Sequence, residues 1–427
     1  MKKQKLQWLA VLVCTLATLF YLYEFSLQVS LGVMTHELMF DMSLNAASLG
    51  MISAAYYYAY TPMQIPGGVL HDKYGPRRVL TAATLICATG ALCFALSGNI
   101  FQASLGRFLM GIGSAFSFSG ALMLIARWFP AKYFAILSGI VQLMSSIGAI
   151  AGQVPLAISI HHWGWRHSMF GLAMIGAILA AAIWFVVHDF PADQKNHATL
   201  APQYHDKPKG LKQILRSKET RWIASYSFLI WAPVTTFAGL WGVPFLVIAY
   251  HLSTASASIA CAFIWLGIGI GSPLSGWLSE SLQKRAAVLT GCSLLGLISS
   301  ILVIYVNLPL PALYGFLFLL GIAGGGQSLA FCVVKDISHP SSIGTSIGIN
   351  NMATVAGGAL LQPVIGWLLL VNWHGAMNGN APLYGVSEYH LGLLLIPACY
   401  FLATLISAFR IAETHCQSRY TVMATSE

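Results

Sequence analysis

Charge is what this chain mostly lacks. Only 8% of its residues are Asp, Glu, Lys or Arg, while 57% are hydrophobic. Soluble domains carry roughly 25% and 45–50%. A chain of 427 residues cannot hide that much apolar surface from water in one core, so lipid must solvate much of it. Paired cysteines are missing too. The eight, at 14, 87, 93, 261, 292, 332, 399 and 416, form no Cys-x-x-Cys pair and no metal-ligand spacing. Seven lie in or at apolar segments, where a thiol behaves as a small hydrophobe. No metal-ligand cluster, phosphate-cradling glycine loop or nucleophile–base spacing is present. Gly324-Gly325-Gly326 lies inside an apolar run and reads as a packing signal. These absences argue against an enzyme, and nothing calls for a cofactor or a metal. The formal charge of +9 would point to nucleic acid in a soluble protein. Here the basic residues lie between apolar segments, so the positive-inside rule accounts for them and no nucleic-acid partner is expected.

What is present is a series of apolar runs. At about 20 residues per crossing, twelve are expected, near 8–34, 46–71, 79–98, 101–125, 134–160, 166–188, 222–250, 256–280, 286–307, 310–334, 342–371 and 388–411. The fold class expected is therefore an all-α membrane protein. The first run extends beyond Val29, too long for a secretory apolar core of roughly 7–15 residues, and reads as a membrane helix. One long polar stretch, Asp189 to Arg221, contains Pro191, Pro202 and Pro208 and separates six runs from six. The division expected is an N-terminal six-helix bundle at 1–190, a linker at 191–220 and a C-terminal bundle at 221–427. Gly210 to Ser217 is expected to form a short amphipathic helix, and His161-His162 to lie in an interfacial loop. Twenty of the 22 Lys and Arg residues fall at the amino terminus, after runs 2, 4, 6, 8 and 10, or at the carboxyl end. That asymmetry places both termini in the cytoplasm. Arg107 and Arg166 break the pattern.

Positions recur at a fixed offset. Gly68, Asp72 and Arg77 match Gly276, Glu280 and Arg285 at 208; Gly139, Gln142, Gln153 and Pro155 match Gly348, Asn351, Gln362 and Pro363 at 208 or 209; Gly111 and Pro130 match Gly321 and Pro340 at 210. A duplicated six-helix unit explains this. The stretch Gly68-Val-Leu-His-Asp72-Lys-Tyr-Gly75-Pro-Arg77-Arg78 is a charged turn between two apolar runs. Asp72 is placed there to cap the following helix or hold the basic residues. Its spacing resembles motif A of the major facilitator superfamily (MFS). Arg107-Phe-Leu-Met-Gly111-Ile-Gly113-Ser-Ala115 is similar to the superfamily's motif B, with Met110 where glutamine is usual. Gly148-x-x-x-Gly152-Gln153 departs from the drug-antiporter motif C, and Trp163-Gly-Trp-Arg166 is a frequent superfamily pattern. Within the superfamily, Tyr23-Glu24-Phe25, Tyr56–Tyr60 and Met63-Gln64-Ile65-Pro66 resemble the proteobacterial intraphagosomal amino-acid transporters. The MFS resemblance implies two pseudo-symmetric bundles that alternate access to a central site.

Glu24 is the acidic residue well inside an apolar run. An ionisable group in lipid is a functional candidate by default. Proton-coupled sugar transporters of the superfamily carry an acidic residue on helix 1, so Glu24 resembles a proton-coupling site, with substrate contact and a structural carboxylate as the alternatives. Arg107 is expected to pair with it and to face a substrate carboxylate, its alternative being to tie helices together. Gln28, Tyr56, Tyr60, Gln64, Gln142, Trp231, Thr235, Trp241, Gln327, Asn350 and Asn351 are the other candidate substrate contacts, each with helix packing as the competing role. Asp72, Arg78, Glu280 and Arg285 are expected to gate. Gly139, Gly148, Gly152, Gly357 and Gly358 are expected to permit close helix approach where the bundles rock.

The function expected is proton-coupled uptake of a small polar solute, an amino acid or small carboxylate, by a monomer in a bacterial inner membrane. The alternatives are a proton-independent facilitator, an exporter of an organic anion or siderophore-like metabolite, and a solute sensor. Nitrate transport is disfavoured because runs 2 and 8 lack embedded arginines.

Overall fold

The structure, a computed structural model, describes residues 2–130, 133–190, 211–339 and 342–417. Ten helical stretches among them are long and apolar enough to cross a bilayer, and one bent pair raises the count to eleven. One of the ten, Ile136–Val186, has 51 residues. At 1.5 Å per residue that is ~77 Å, far more than one crossing needs. It is broken at Gly164, whose φ of +78° suits a residue with no Cβ. Divided there, the stretches correspond to the twelve expected runs, and the chain is an all-α, multi-pass membrane protein.

The chain begins with α1 (Lys2–Val29), which tightens into a 3₁₀ turn over Ser30–Val33. Then come α2 (Thr35–Asp41), α3 (Ala46–Tyr74), α4 (Pro76–Ala95), α5 (Ile100–Ser114), α6 (Ser117–Trp128), α7 (Phe134–Ala151) and α8 (Val154–Val186). The turn between α3 and α4 is a single residue, Gly75 (φ +80°), with Pro76 opening the next helix. Glycine supplies the positive φ, and proline gives up only an N–H that a first helical residue leaves unused. The second half holds α9 (Leu211–Arg216), α10 (Lys218–Pro233), a π-helical stretch Val234–Trp241, α11 (Gly242–Tyr250), α12 (Thr254–Leu282), α13 (Arg285–Tyr305), α14 (Leu310–Gly324), α15 (Gly326–Ile337), α16 (Ile343–Val371), α17 (Val386–Leu393) and α18 (Leu395–Phe409). A two-residue hairpin, Met377–Asn378 with Ala381–Pro382, precedes α17.

Helix α9 covers most of the short surface helix expected at 210–217. Residues 191–210, with Pro191, Pro202 and Pro208, lie outside the described residues, as does Pro340 of the repeat. His161 and His162 sit on α8, exposed, with their rings in edge contact. The loop expected there is helix, because the chain does not break until Gly164.

Two compact units emerge: Met1–Glu37 with Ile52–Gln203, and Leu38–Met51 with Tyr204–Glu427. In the first, a Cβ on Gly111 of α5 would fall on the Tyr56 carbonyl of α3, and one on Gly148 of α7 on the Leu22 carbonyl of α1. In the second, Gly321 stands in the same way against the Ile264 carbonyl, and Gly357 against Ala232. These four pairs are related by offsets of 208 to 210, so the sequence repeat is a repeat of helix crossings. The tight contacts of Gly148 and Gly152 are with α1 and those of Gly357 with α10, each inside its own unit, while Gly139 meets nothing within 4 Å. For Gly148, Gly152 and Gly357 the expected role in rocking between bundles gives way to one inside a bundle, where they set the helix spacing because small residues let backbones touch without a hydrophobic driving force.

Alanine at Gly111 or Gly321 is expected to destabilise by about 1–3 kcal/mol through overpacking against backbone. Alanine at Gly139 or Gly348, which meet nothing within 4 Å, is expected to leave the thermal midpoint in detergent unchanged. Equal midpoints for all four variants would contradict the crossing geometry.

Candidate functional site

In the first unit, Glu24 and Arg107 are both fully buried, at 0% exposure. They do not form the ion pair expected. The guanidinium of Arg107 instead donates to the carbonyls of Leu27 (2.7 Å) and Gln28 (3.2 Å). Those carbonyls belong to the last turn of α1, whose C-terminal end attracts cations. The expected pairing fails because helix α1 ends there, and the carbonyls of its last turn, that of Leu27 also accepting from the Ser30 hydroxyl at 2.8 Å, compete for the guanidinium. Its Nε has no partner among the described residues.

Glu24 accepts one hydrogen bond through Oε1, from the Tyr56 hydroxyl at 2.9 Å. Its Oε2 has no partner among the described residues. The guanidinium carbon of Arg107 lies 4.8 Å from the centroid of the same tyrosine ring. Tyr56 therefore touches both charged groups, which otherwise do not meet. The crossing at Gly111 makes this possible: Gly111 is one helical turn beyond Arg107 on α5 and rests on the Tyr56 backbone. Tyr60 stacks on Tyr56 at 5.7 Å, and with the half-buried Gln64 continues the i, i+4, i+8 row on α3. Gln28 is buried, with Oε1 unpartnered among the described residues. Gln142 on α7 donates to Ser145 at 3.3 Å, and no hydrogen bond joins it to Glu24 or Arg107 among the described residues.

The second unit holds an uncharged polar cluster. Asn350 accepts from Ser227 (2.9 Å), and Gln327 donates to Thr354 (2.5 Å), whose hydroxyl in turn donates to the Asn350 carbonyl. Pro233 cannot donate to the helix ladder, and beyond it the chain opens into the π-helical stretch. Gln362 repairs that opening, donating to the Thr235 carbonyl (2.8 Å) while its own carbonyl accepts from the Trp241 indole (3.2 Å). The Thr235 hydroxyl turns back onto the Trp231 and Ala232 carbonyls. Thr235 and Trp241 are thus tied to backbone, and Trp231 and Asn351 are half-buried. Gln327 Oε1, Asn350 Nδ2, Thr236 Oγ1 and Gln362 Oε1 are buried without partners among the described residues. Each such atom costs about 1–3 kcal/mol, a cost that a ligand would relieve. Thr236 was not singled out from the sequence, whereas Gln362 stood out there through its repeat match with Gln153.

The charged turns follow the repeat. The backbone N–H of Arg77, at the start of α4, donates to Asp189 (2.8 Å); that of Arg285, at the start of α13, donates to Glu413 (2.5 Å). Each half thus caps the helix after its charged turn with a carboxylate from beyond its last helix. Asp72 does not cap α4, which corrects that expectation. Asp72 and Arg78 are exposed, and neither makes a hydrogen bond or ion pair among the described residues. Arg77 lies on the Trp184 ring and donates to its carbonyl. Arg285 also pairs with Asp336 at 3.1 Å and reaches Ser279, while Glu280 engages Gln283 through its backbone carbonyl. Asp189 and Glu413 were not anticipated, because caps reached across more than a hundred residues leave no local pattern, and neither was Asp336, 51 residues from Arg285.

Residues 13–362 and 240–404 match the sequence model of the Major Facilitator Superfamily. The chain belongs to the Major Facilitator Superfamily. It is similar to a probable galactarate/D-glucarate transporter, GudP, of Escherichia coli (strain K12), 26% identical over 405 residues and covering 85% of this chain and 87% of that one. The gentisate transporter of Corynebacterium glutamicum is 24% identical over 383 residues, covering 85% and 83%. In fold it is similar to the crystal structure of a bacterial homologue of the human lysosomal transporter Spinster, in an inward-facing and occupied conformation. That likeness has a TM-score of 0.74 at 17% identity, over 93% of this chain and 95% of that one. The relatives are named transporters, and this MFS chain is a transporter and not an enzyme.

Asp189→Ala and Glu413→Ala are each expected to cost about 1 kcal/mol, as lost helix caps do, and to lower the thermal midpoint. Asp72→Ala is expected to leave that midpoint unchanged.

Proposed function

We propose that this MFS protein takes up a small organic anion together with a proton, by alternating access. The observation that carries the reading is the isolation of two buried charges in one bundle. With Glu24 ionised the interior is neutral overall. With Glu24 protonated it holds the uncompensated cation of Arg107, and an anionic substrate restores neutrality. A proton and a monoanion then cross as a neutral pair, a dicarboxylate needing a second proton to do so, which avoids the several kcal/mol that a net charge costs in lipid. Arg107 faces the anion with its Nε and with nitrogens that leave the α1 carbonyls as substrate arrives. In the second unit, the unpartnered amides of Gln327, Asn350 and Gln362 are hydrogen-bonding groups suited to a polar solute.

Galactarate, glucarate and gentisate, named for the relatives, are small carboxylates, and they favour the carboxylate half of the sequence expectation over the amino-acid half. An amino acid remains the second reading, supported by the likeness of Tyr23-Glu24-Phe25 and Met63-Gln64-Ile65-Pro66 to the intraphagosomal group. We further propose that the protein is a monomer in a bacterial inner membrane. Both termini are cytoplasmic, the bundles span 1–190 and 221–427, and Asp72, Arg78, Glu280 and Arg285 form part of the gates.

The test is uptake by proteoliposomes of D-glucarate, galactarate, gentisate and a panel of amino acids, with and without an inward proton gradient. At least one carboxylate is expected to accumulate only with the gradient. Glu24→Gln is expected to abolish the response to the gradient, and Arg107→Leu to cut uptake by about 10- to 100-fold, the equivalent of one charged hydrogen bond. Accumulation of amino acids alone would overturn the anion reading. A gradient response that survives Glu24→Gln would overturn the proton reading.

A further inference from the structure

We infer that Tyr56 is the positioning residue through which the proton on Glu24 governs Arg107. This rests on the proposed proton and anion roles of those two residues. Three helices meet at one phenol: Glu24 from α1 receives its hydroxyl, Arg107 from α5 lies on its ring, and Tyr56 itself comes from α3. All three are buried to 0% exposure, so water does not screen the contacts. Glu24 has no other hydrogen-bond partner among the described residues, and the Arg107 guanidinium lies over the Tyr56 ring with Tyr57 also within electrostatic range. A signal from one charge to the other has this ring as its direct route.

The direction of the effect follows from elementary electrostatics. A phenol that donates to a carboxylate shifts electron density toward its ring, because hydrogen-bonded groups polarise one another in a low dielectric. A richer ring face holds a cation more strongly. While Glu24 is ionised, Tyr56 therefore keeps Arg107 against α3. When Glu24 takes a proton, the carboxyl no longer draws the phenol proton, the ring loses density, and its hold on Arg107 weakens. The guanidinium is then released toward the incoming anion in the state where the interior carries a net positive charge. Proton first and anion second is the order this imposes.

The other groups facing these residues do not substitute for it. Tyr21 on α1, Tyr60 on α3 and Cys87 on α4 lie within electrostatic range of Glu24, Tyr57 lies within range of Arg107, and Ser114 on α5 and Ser145 on α7 supply hydroxyls to Tyr56 and Tyr21. None of these is a cation or a carboxylate, so Glu24 and Arg107 are the charged pair that the phenol joins.

Infrared difference spectroscopy of the purified full chain, titrated with acid and base alone, tests the inference. The carboxyl band absent from Glu24→Gln identifies Glu24. The guanidinium band absent from Arg107→Lys identifies Arg107 in arginine-labelled protein. In the wild type, the Tyr56 C–O band and the Arg107 band are expected to change at the midpoint of the Glu24 band. In Tyr56→Phe, which keeps the ring but loses the donor, the Glu24 midpoint is expected to rise by about one pH unit, because an ionised carboxylate loses a hydrogen bond. The Arg107 band is then expected to stop following it. A Glu24 band that titrates while the Arg107 and tyrosine bands stay fixed in the wild type overturns the inference and spares the proposed proton site. This arm needs no variant of Tyr56 to fold. An unchanged midpoint in a folded Tyr56→Phe also overturns it. The absence of any titrating Glu24 band overturns both this inference and the proton role.

Discussion

The space that a side chain at Gly111 would need is filled by the carbonyl of Tyr56. That backbone-to-backbone contact is the constraint on which the first bundle depends. It brings α5 against α3 at van der Waals distance, and Arg107 lies one turn from it on the same helix. Only at that spacing can a guanidinium rest on the ring of Tyr56 while the hydroxyl of that ring reaches α1. A methyl group at position 111 would separate the two helices and, with them, the two charges from their common neighbour. The charged site is thus a consequence of a missing side chain.

Burying charge in hydrocarbon is costly, and the first bundle meets that cost with dipoles. Arg107 is held by the carbonyls of Leu27 and Gln28 at the end of α1, and Glu24 by a phenol. A direct ion pair would be the cheaper arrangement at rest, but it would leave neither group ready to change partners. In the proposed cycle, holding each charge with neutral groups keeps both available. The second bundle repeats the crossings without the charges. Leu317 stands at the repeat position of Arg107 and Val234 at that of Glu24, both at an offset of 210. Its polar equipment is instead amides around the π-helical stretch, a form of helix frequent at functional sites. One scaffold has been given ionic chemistry in one copy and hydrogen-bonding chemistry in the other.

Much of the architecture was legible from the chain because lipid imposes simple rules. Runs of apolar residues must be helices, and charged turns must lie outside the hydrocarbon. The offset of 208 to 210 announced a duplication, and the crossings Gly111–Tyr56 and Gly321–Ile264 gave it physical meaning. Glu24 and Arg107 stood out because buried charge is rare enough to be noticed without any structure. Their relation was less legible. Opposite charges suggest a pair, yet the pairing depends on where α1 stops, and the C-terminal turn at Leu27 and Gln28 has no strong sequence signature. The caps from Asp189 and Glu413 were invisible for another reason. Each joins residues more than a hundred positions apart, and Asp72 was the nearer and plausible candidate.

The sequence by itself determined that this chain lives in a membrane, that its helices come in two related sets, and that one acid and one base within them stand apart from all other charge. Those conclusions follow from local composition, which solvation alone constrains. Tertiary structure decided that Tyr56 stands between that acid and that base, that glycines govern spacing inside each bundle, and that distant carboxylates cap the helices after the charged turns. Contacts of this kind depend on how closely backbones approach, and no one-dimensional pattern of residue types specifies that distance.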